Sequence, residues 1–142
     1  MTRVISIVQC VSKKRETPQH ARYLYTSSLF VNAAAFAEKM SDEWFIISAK
    51  YGLVRPSDWL EPYDVTLNHM TARQRRVWAN QVFSDLKPLL RPTDTVVILA
   101  GVVYRKNLVN KIEELGCKVE IPMKGLRIGE QVSWLKEQLI NQ

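Results

Sequence analysis

The chain has 142 residues, 46% of them apolar and 24% charged, and carries a net charge of +6. This predicts one folded domain over residues 1–142, large enough to bury a core. No apolar run reaches the roughly 18 residues that a membrane span needs, and MTRVISIVQC is too short and strand-like for a signal peptide, so a soluble, cytoplasmic protein is expected.

Cys10 and Cys117 form no CxxC pair, and His20 and His69 are the only histidines, so no zinc site, disulfide scaffold or other cofactor is expected. No histidine is placed to activate Cys10, which reads as an inert strand-end thiol.

RVISIVQC, residues 3–10, is a short β-branched apolar run and predicts a buried strand, bounded by the polar SKKRETPQH. SSLFVNAAAFAEKM then sets Leu29, Ala33, Phe36, Ala37 and Met40 at helical spacing, with Ser27 or Ser28 as cap. EWFIIS restores a strand. A long connection follows, and TARQRRVWANQVFSDLKPLL then predicts a helix with a capping box from Thr71 to Gln74 and an apolar face of Trp78, Val82, Leu86 and Leu89. DTVVILAG is a third buried strand, NLVNKIEELG a helix stopped by Gly116, and CKVEIP a fourth strand. GEQVSWLKEQLI closes the chain as an amphipathic helix with Ile128, Val132, Leu135 and Leu139 on its stripe. Alternation of this kind predicts a three-layer α/β fold: a mostly parallel four-stranded sheet with helices on both faces.

In such a sheet the loops leaving the carboxyl ends of the strands share one edge, where ligands bind. Those loops carry Ser12, Lys13 and Lys14 after the first strand; Ser48, Lys50, Tyr51 and Gly52 after the second; Gly101, Tyr104 and Arg105 after the third; and Lys124, Gly125, Arg127 and Gly129 after the fourth. Glycine allows close backbone approach, and a helix N-terminus offers free N–H groups to an anion, so KGLRIGEQ, residues 124–131, reads either as a phosphate or carboxylate site or as plain turn chemistry. Tyr25, Thr26 and Ser27 add hydroxyls for phosphate, or simply start a helix.

The segment WFIISAKYGLVRPSDWLEPYDVTL, residues 44–67, is far longer than the usual connection of about 2–6 residues, which marks it as a candidate site. Lys50, just past a buried strand, reads as a partly desolvated base or nucleophile, as a counter-charge to an anionic ligand, or as a surface lysine. Leu53, Val54, Trp59 and Leu60 would anchor the segment, and Pro56 and Pro62 stiffen it. Glu61, Tyr63 and Asp64 would then face the edge, Asp64 as general base, as a reader of nucleobase donors, or as a turn cap. Three basic knots, KKR at 13–15, RQRR at 73–76 and RK at 105–106, fit either contact with a polyanion or a solvated face. For nucleic acid the relevant side chains are Lys13, Lys14, Arg15, Arg73, Arg75 and Arg76.

The blocks VQCVSKK, ARYLYTSSLF, WFIISAKYGLVRPSDWLEPYDVTL, LAGVVYRKNLV and IPMKGLRIGEQVSWLK together resemble a family of small bacterial, archaeal and phage proteins known as a domain of unknown function. That resemblance implies that Ser48, Lys50, Gly52, Pro62, Tyr63, Asp64, Gly101, Tyr104, Gly125, Gly129 and Gln131 stand at motif positions. More distantly, YGLVRPSDWLEPYDVTL is similar to the YaaA peroxide-stress family, which implies an association with DNA. The expected function is an enzyme that processes a nucleotide or nucleic-acid base, by glycosidic-bond or base-exchange chemistry, with Lys50 or Asp64 reacting and Tyr63 or Tyr104 stacking. The alternatives are a non-catalytic DNA- or RNA-binding protein and a nucleotide sensor.

Overall fold

The computed structural model describes residues 2–10 and 14–141; Ser12 and Lys13 lie outside the described residues. The main elements are β1 (Val4–Gln9), β2 (Gln19–His20), α1 (Ala21–Leu24), α2 (Ser28–Met40), β3 (Glu43–Ser48), β4 (Gly52–Val54), β5 (Trp59–Leu60), α3 (Ala72–Leu86), β6 (Thr95–Leu99), α4 (Val102–Arg105), α5 (Val109–Glu114), β7 (Lys118–Glu120) and α6 (Ile128–Ile140). The central sheet runs β4-β3-β1-β6-β7. Strands β3, β1, β6 and β7 are parallel, and β4 is antiparallel to β3.

The expected α/β architecture is therefore present, with one strand more than the four anticipated. Gly52, at φ +70°, reverses the chain directly after β3, so that Leu53 and Val54 pair back onto Ile47 and Ile46. Residues 49–67 are accordingly not one irregular loop. They hold β4, then β5, which pairs with β2 in a two-stranded ribbon. Strands this short carry too few residues for a readable period.

β1, β3 and β6 bury nearly every side chain, including Ile5, Ile7, Phe45, Ile46, Ile47, Val96 and Ile98, because helices cover both faces of the sheet. The crossover from β1 to β3 and that from β6 to β7 run in opposite directions across the sheet, so right-handed connections put α2 and α5 on opposite faces. α6 packs beside α2, and α3 packs on β4. The anticipated capping box is formed: the Gln74 N–H donates to Thr71 Oγ1 at 3.1 Å and the Thr71 N–H to Gln74 Oε1 at 2.9 Å. The helix expected over 107–116 is shorter, α5, and a separate turn, α4, precedes it directly after Gly101. Ile128, expected on the core stripe of α6, is instead 68% exposed, because it stands at the first residue of the helix, beyond the edge of the sheet. Among the described residues, no helix is long and apolar enough to cross a membrane.

At the opposite end of the sheet, Asp94 is buried and accepts from Arg3 at 2.7 and 3.0 Å and from the Arg91 N–H at 2.7 Å, tying the starts of β1 and β6 together. Burial opposes ionisation of Asp94, but the Arg3 and Arg91 hydrogen bonds and charges outweigh it and hold the carboxyl below its ordinary 3.8. The Asp94 contribution is thus complete above that value and disappears as pH falls through the lowered one. Asp94→Ala should cost about 3 kcal/mol in urea unfolding at neutral pH, and Asp94→Asn should flatten the acid limb of the stability profile.

Candidate functional site

β1 and β6 are neighbours from which the chain departs in opposite directions, so no crossover covers the gap above their carboxyl ends. A cavity of about 260 Å³ opens there, lined by Gln9, Cys10, Leu29, Val65, Thr66, Asn68, Tyr104 and Ile128. Gln9 Oε1 accepts the Gly101 N–H at 2.7 Å, which fixes the amide and leaves its NH2 group as a donor beside the cavity. A Cβ on Gly101 would stand 3.4 Å from Gln9 Oε1. On the far side of Gln9 a narrow cleft brings Gly101 and Gln131 together; Gln131 also donates to the Leu126 carbonyl at 2.9 Å, bracing the loop before α6.

The cavity wall rests on a buried hydroxyl cluster. Tyr63 Oη lies 2.7 Å from both Tyr25 Oη and Ser48 Oγ, and Ser48 Oγ accepts the Tyr51 N–H at 3.1 Å. Trp78 Nε1 donates to the Ser48 carbonyl at 2.9 Å and packs edge-on against Tyr104, whose hydroxyl accepts the Leu67 N–H. Burial above all raises the phenols of Tyr25, Tyr63 and Tyr104 above their ordinary 10, with the neighbouring Cys10 a smaller contribution. These tyrosines are neutral hydrogen-bonding groups at neutral pH. Their effect is mechanical: they clamp the segment carrying Asp64, Val65 and Thr66 to the end of the sheet.

Of the residues expected at the carboxyl edge of the sheet, the structure brings some together and leaves others apart. Gly101, Tyr104 and Gln131 meet around Gln9, while Tyr25, Ser48 and Tyr63 lie in the supporting cluster. Lys14 pairs with Tyr25 as an isolated bridge, and its Nζ sits 4.4 Å from the Tyr63 ring centre. Lys50 is exposed, its Nζ 5.3 Å from the Tyr51 ring centre, and does not line the cavity. The expected desolvation is missing because the chain turns outward directly after Ala49. Asp64 is exposed on the clamped segment, next to the lining residue Val65.

Ser27 caps α2 by accepting the Phe30 N–H at 3.2 Å. Arg15 donates to the Tyr23 carbonyl at 3.0 Å, whereas Arg75 donates to the Leu67 and Asn68 carbonyls at 2.8 and 3.3 Å; both guanidinium groups brace loops. Arg73 and Arg76 are exposed on α3. Lys124 is exposed, and a Cβ at Gly125 or Gly129 would meet open space; Gly125 is required by its left-handed φ of +83° rather than by a close approach. Glu130 Oε1 accepts the Arg127 N–H at 2.9 Å, so a carboxylate of the chain itself occupies the start of α6.

Gln9, Thr66 and Asn68 were not singled out from sequence, and Cys10 was set aside. Gln9 and Cys10 stand at the end of β1, one of the two strands at which the sheet order reverses, and that order is invisible without pairing; Thr66 and Asn68 come from the aperiodic segment after β5. Among the described residues, no group of three or more His, Cys, Asp or Glu side chains could hold a metal ion.

The chain belongs to a Family of unknown function (DUF6884), whose profile matches residues 5–137. It is 33% identical over 117 residues to the Uncharacterized protein YfjM of Bacillus subtilis (strain 168), an alignment covering 73% of each chain. No solved structure matches it significantly.

Removing the central hydroxyl tests the clamp. Tyr63→Phe leaves Ser48 and Tyr25 short of a partner in a buried setting and should cost about 1–3 kcal/mol in urea unfolding. Because the raised phenol values favour the neutral form, stability should be complete below pH 10 and fall as pH rises above it, and Tyr63→Phe should weaken that alkaline loss.

Proposed function

We propose that the switch-point cavity holds a nucleobase and that the protein processes this base on a nucleotide or nucleic acid, by glycosidic-bond or base-exchange chemistry. The observation that carries this reading is the character of the described lining. Gln9, Asn68 and Thr66 offer the amide and hydroxyl groups that read a heterocycle's edge, and Leu29, Val65 and Ile128 offer apolar surface for its faces. About 260 Å³ falls just under the roughly 300–1,000 Å³ of pockets for drug-sized ligands, which suits a single base.

The fixed Gln9 donor calls for an acceptor, such as a carbonyl oxygen or ring nitrogen, on the guest. Asp64, on the clamped segment, is the carboxylate for the reaction. Asp64 accepts a proton from a water whose oxygen bonds C1′ as the C1′–N bond breaks, and that proton then passes to the departing base, giving the free base and a 1′-hydroxyl sugar. The similarity of residues 51–67 to the YaaA family, with its DNA association, points to the same class of ligand.

A second reading, binding without turnover, is favoured by the absence of carboxylate, lysine and histidine from the described cavity lining.

Thermal unfolding with free bases, nucleosides and nucleotides tests the ligand. At about 100-fold over Kd a true ligand adds about 2.7 kcal/mol, which raises Tm by roughly 5–10 °C in a chain of this size. Gln9→Ala should abolish that rise, and a panel without any rise contradicts the proposal. Mass spectrometry of the same mixtures separates the two readings: released base that disappears in Asp64→Asn supports the enzyme, and binding with no released base supports the second.

A further inference from the structure

We infer that the base entering the cavity is carried on a single strand of nucleic acid, whose sugar–phosphate backbone lies in the groove between α3 and α5. This rests on the base-binding reading above and adds the partner that presents the base.

The groove, of about 390 Å³, is lined by Arg73, Arg76, Val77, Asn80, Asn107 and Lys111. Every charged group in that lining is a cation. A second hollow of about 250 Å³ continues it, sharing Arg76 and Asn107 and adding Arg75, Lys106, Val102 and Val103. Arg75 in turn binds the Leu67 and Asn68 carbonyls, and Asn68 lines the base cavity. The first two hollows are thus joined, and Arg75 stands between the second and the base cavity, so a backbone passing over it would follow a path from α5 past the start of α4 to the sheet's switch point.

Charge along the path distinguishes it from an ordinary solvated face, where both signs are interspersed. The ion pairs among the described residues join Arg3 to Glu43 and Asp94, Arg22 to Glu38, and Lys118 to Glu120. None involves Arg73, Arg76, Lys106 or Lys111. Their mutual repulsion is relieved by a polyanion, and Asn80 and Asn107 supply neutral donors to phosphate oxygens. Val77 and Val102, each 62% exposed, give apolar surface against sugars and unstacked bases.

A lone nucleotide would occupy only the cavity end of the path. A strand uses all of it, and a single strand can place a base in the cavity without first extracting it from a duplex stack.

The test is fluorescence anisotropy with a fluorescein-labelled mixed-sequence oligonucleotide, as DNA and as RNA, between about 50 and 200 mM KCl. Four phosphate contacts on a single strand give a log–log salt slope near −2.8, so affinity should fall about 50-fold across that range. In Arg73→Ala/Arg76→Ala the fall should shrink to about sevenfold, with weaker binding at the low-salt end. The control Lys87→Ala/Lys136→Ala, whose exposed cations lie off the path, should behave as the unaltered chain, and circular dichroism melting checks that each variant is folded.

A folded Arg73→Ala/Arg76→Ala protein with unchanged affinity and slope overturns the inference. So does equal affinity for a duplex of the same sequence, or arginine-dependent binding to anionic lipid vesicles without binding to the oligonucleotide. Tm rises with free nucleotides should survive the arginine substitutions. Arginine-dependent strand binding in a protein that no base, nucleoside or nucleotide stabilises supports the groove while overturning the base cavity beneath it.

Discussion

The position of the site follows from one constraint: two neighbouring parallel strands that pass the chain on in opposite directions cannot cover the space between their ends. β1 leads to β3 on one side and β6 to β7 on the other, so a gap opens above Gln9 and Gly101. The buried β-branched strands fix where that gap lies, and the covering helices on both faces keep it from closing sideways. What fills it is decided by the loops, and here the loops bring amides, hydroxyls and a thiol rather than the lysine and carboxylate that a sequence reading favours.

A second dependence links stability to the site. The segment after β5 has little regular structure of its own, yet it supplies Val65, Thr66 and Asn68 to the cavity. It is held by Tyr63 reaching Ser48 and Tyr25, by Arg75 reaching the Leu67 and Asn68 carbonyls, and by Tyr104 meeting the Leu67 N–H. Such buried hydrogen bonds contribute modestly in net terms but are costly to leave unpaired, so the loop has one well-defined position. Preorganisation of this kind is what a recognition site needs, because the ligand then does not have to order the loop as it binds.

The fold was largely legible in the sequence because buried parallel strands and amphipathic helices write strong periodic signals, and the Thr71–Gln74 box is a local motif with a local cause. The short strands β4 and β5 were not legible, since three residues and two residues hold no period. The edge of the sheet could be predicted, but not which of its residues converge. Lys50 follows a buried strand and still points to solvent, because the Gly52 turn carries the chain back along β3. Gln9 and Cys10, by contrast, acquire their place only when β6 pairs with β1, a contact between residues some ninety positions apart. The glycine-rich turn before α6 drew attention by composition, whereas Glu130 already meets its N–H.

The most direct measurement of the central claim is residue-resolved. Amide chemical shifts recorded by NMR during titration with a nucleoside monophosphate should move at Gln9, Thr66, Asn68 and Gly101, the residues that rim the gap between β1 and β6, while those of Lys124 to Gly129 stay in place. Shifts confined to the Lys124–Gly129 turn, or none at saturating ligand, would contradict a base site at the switch point.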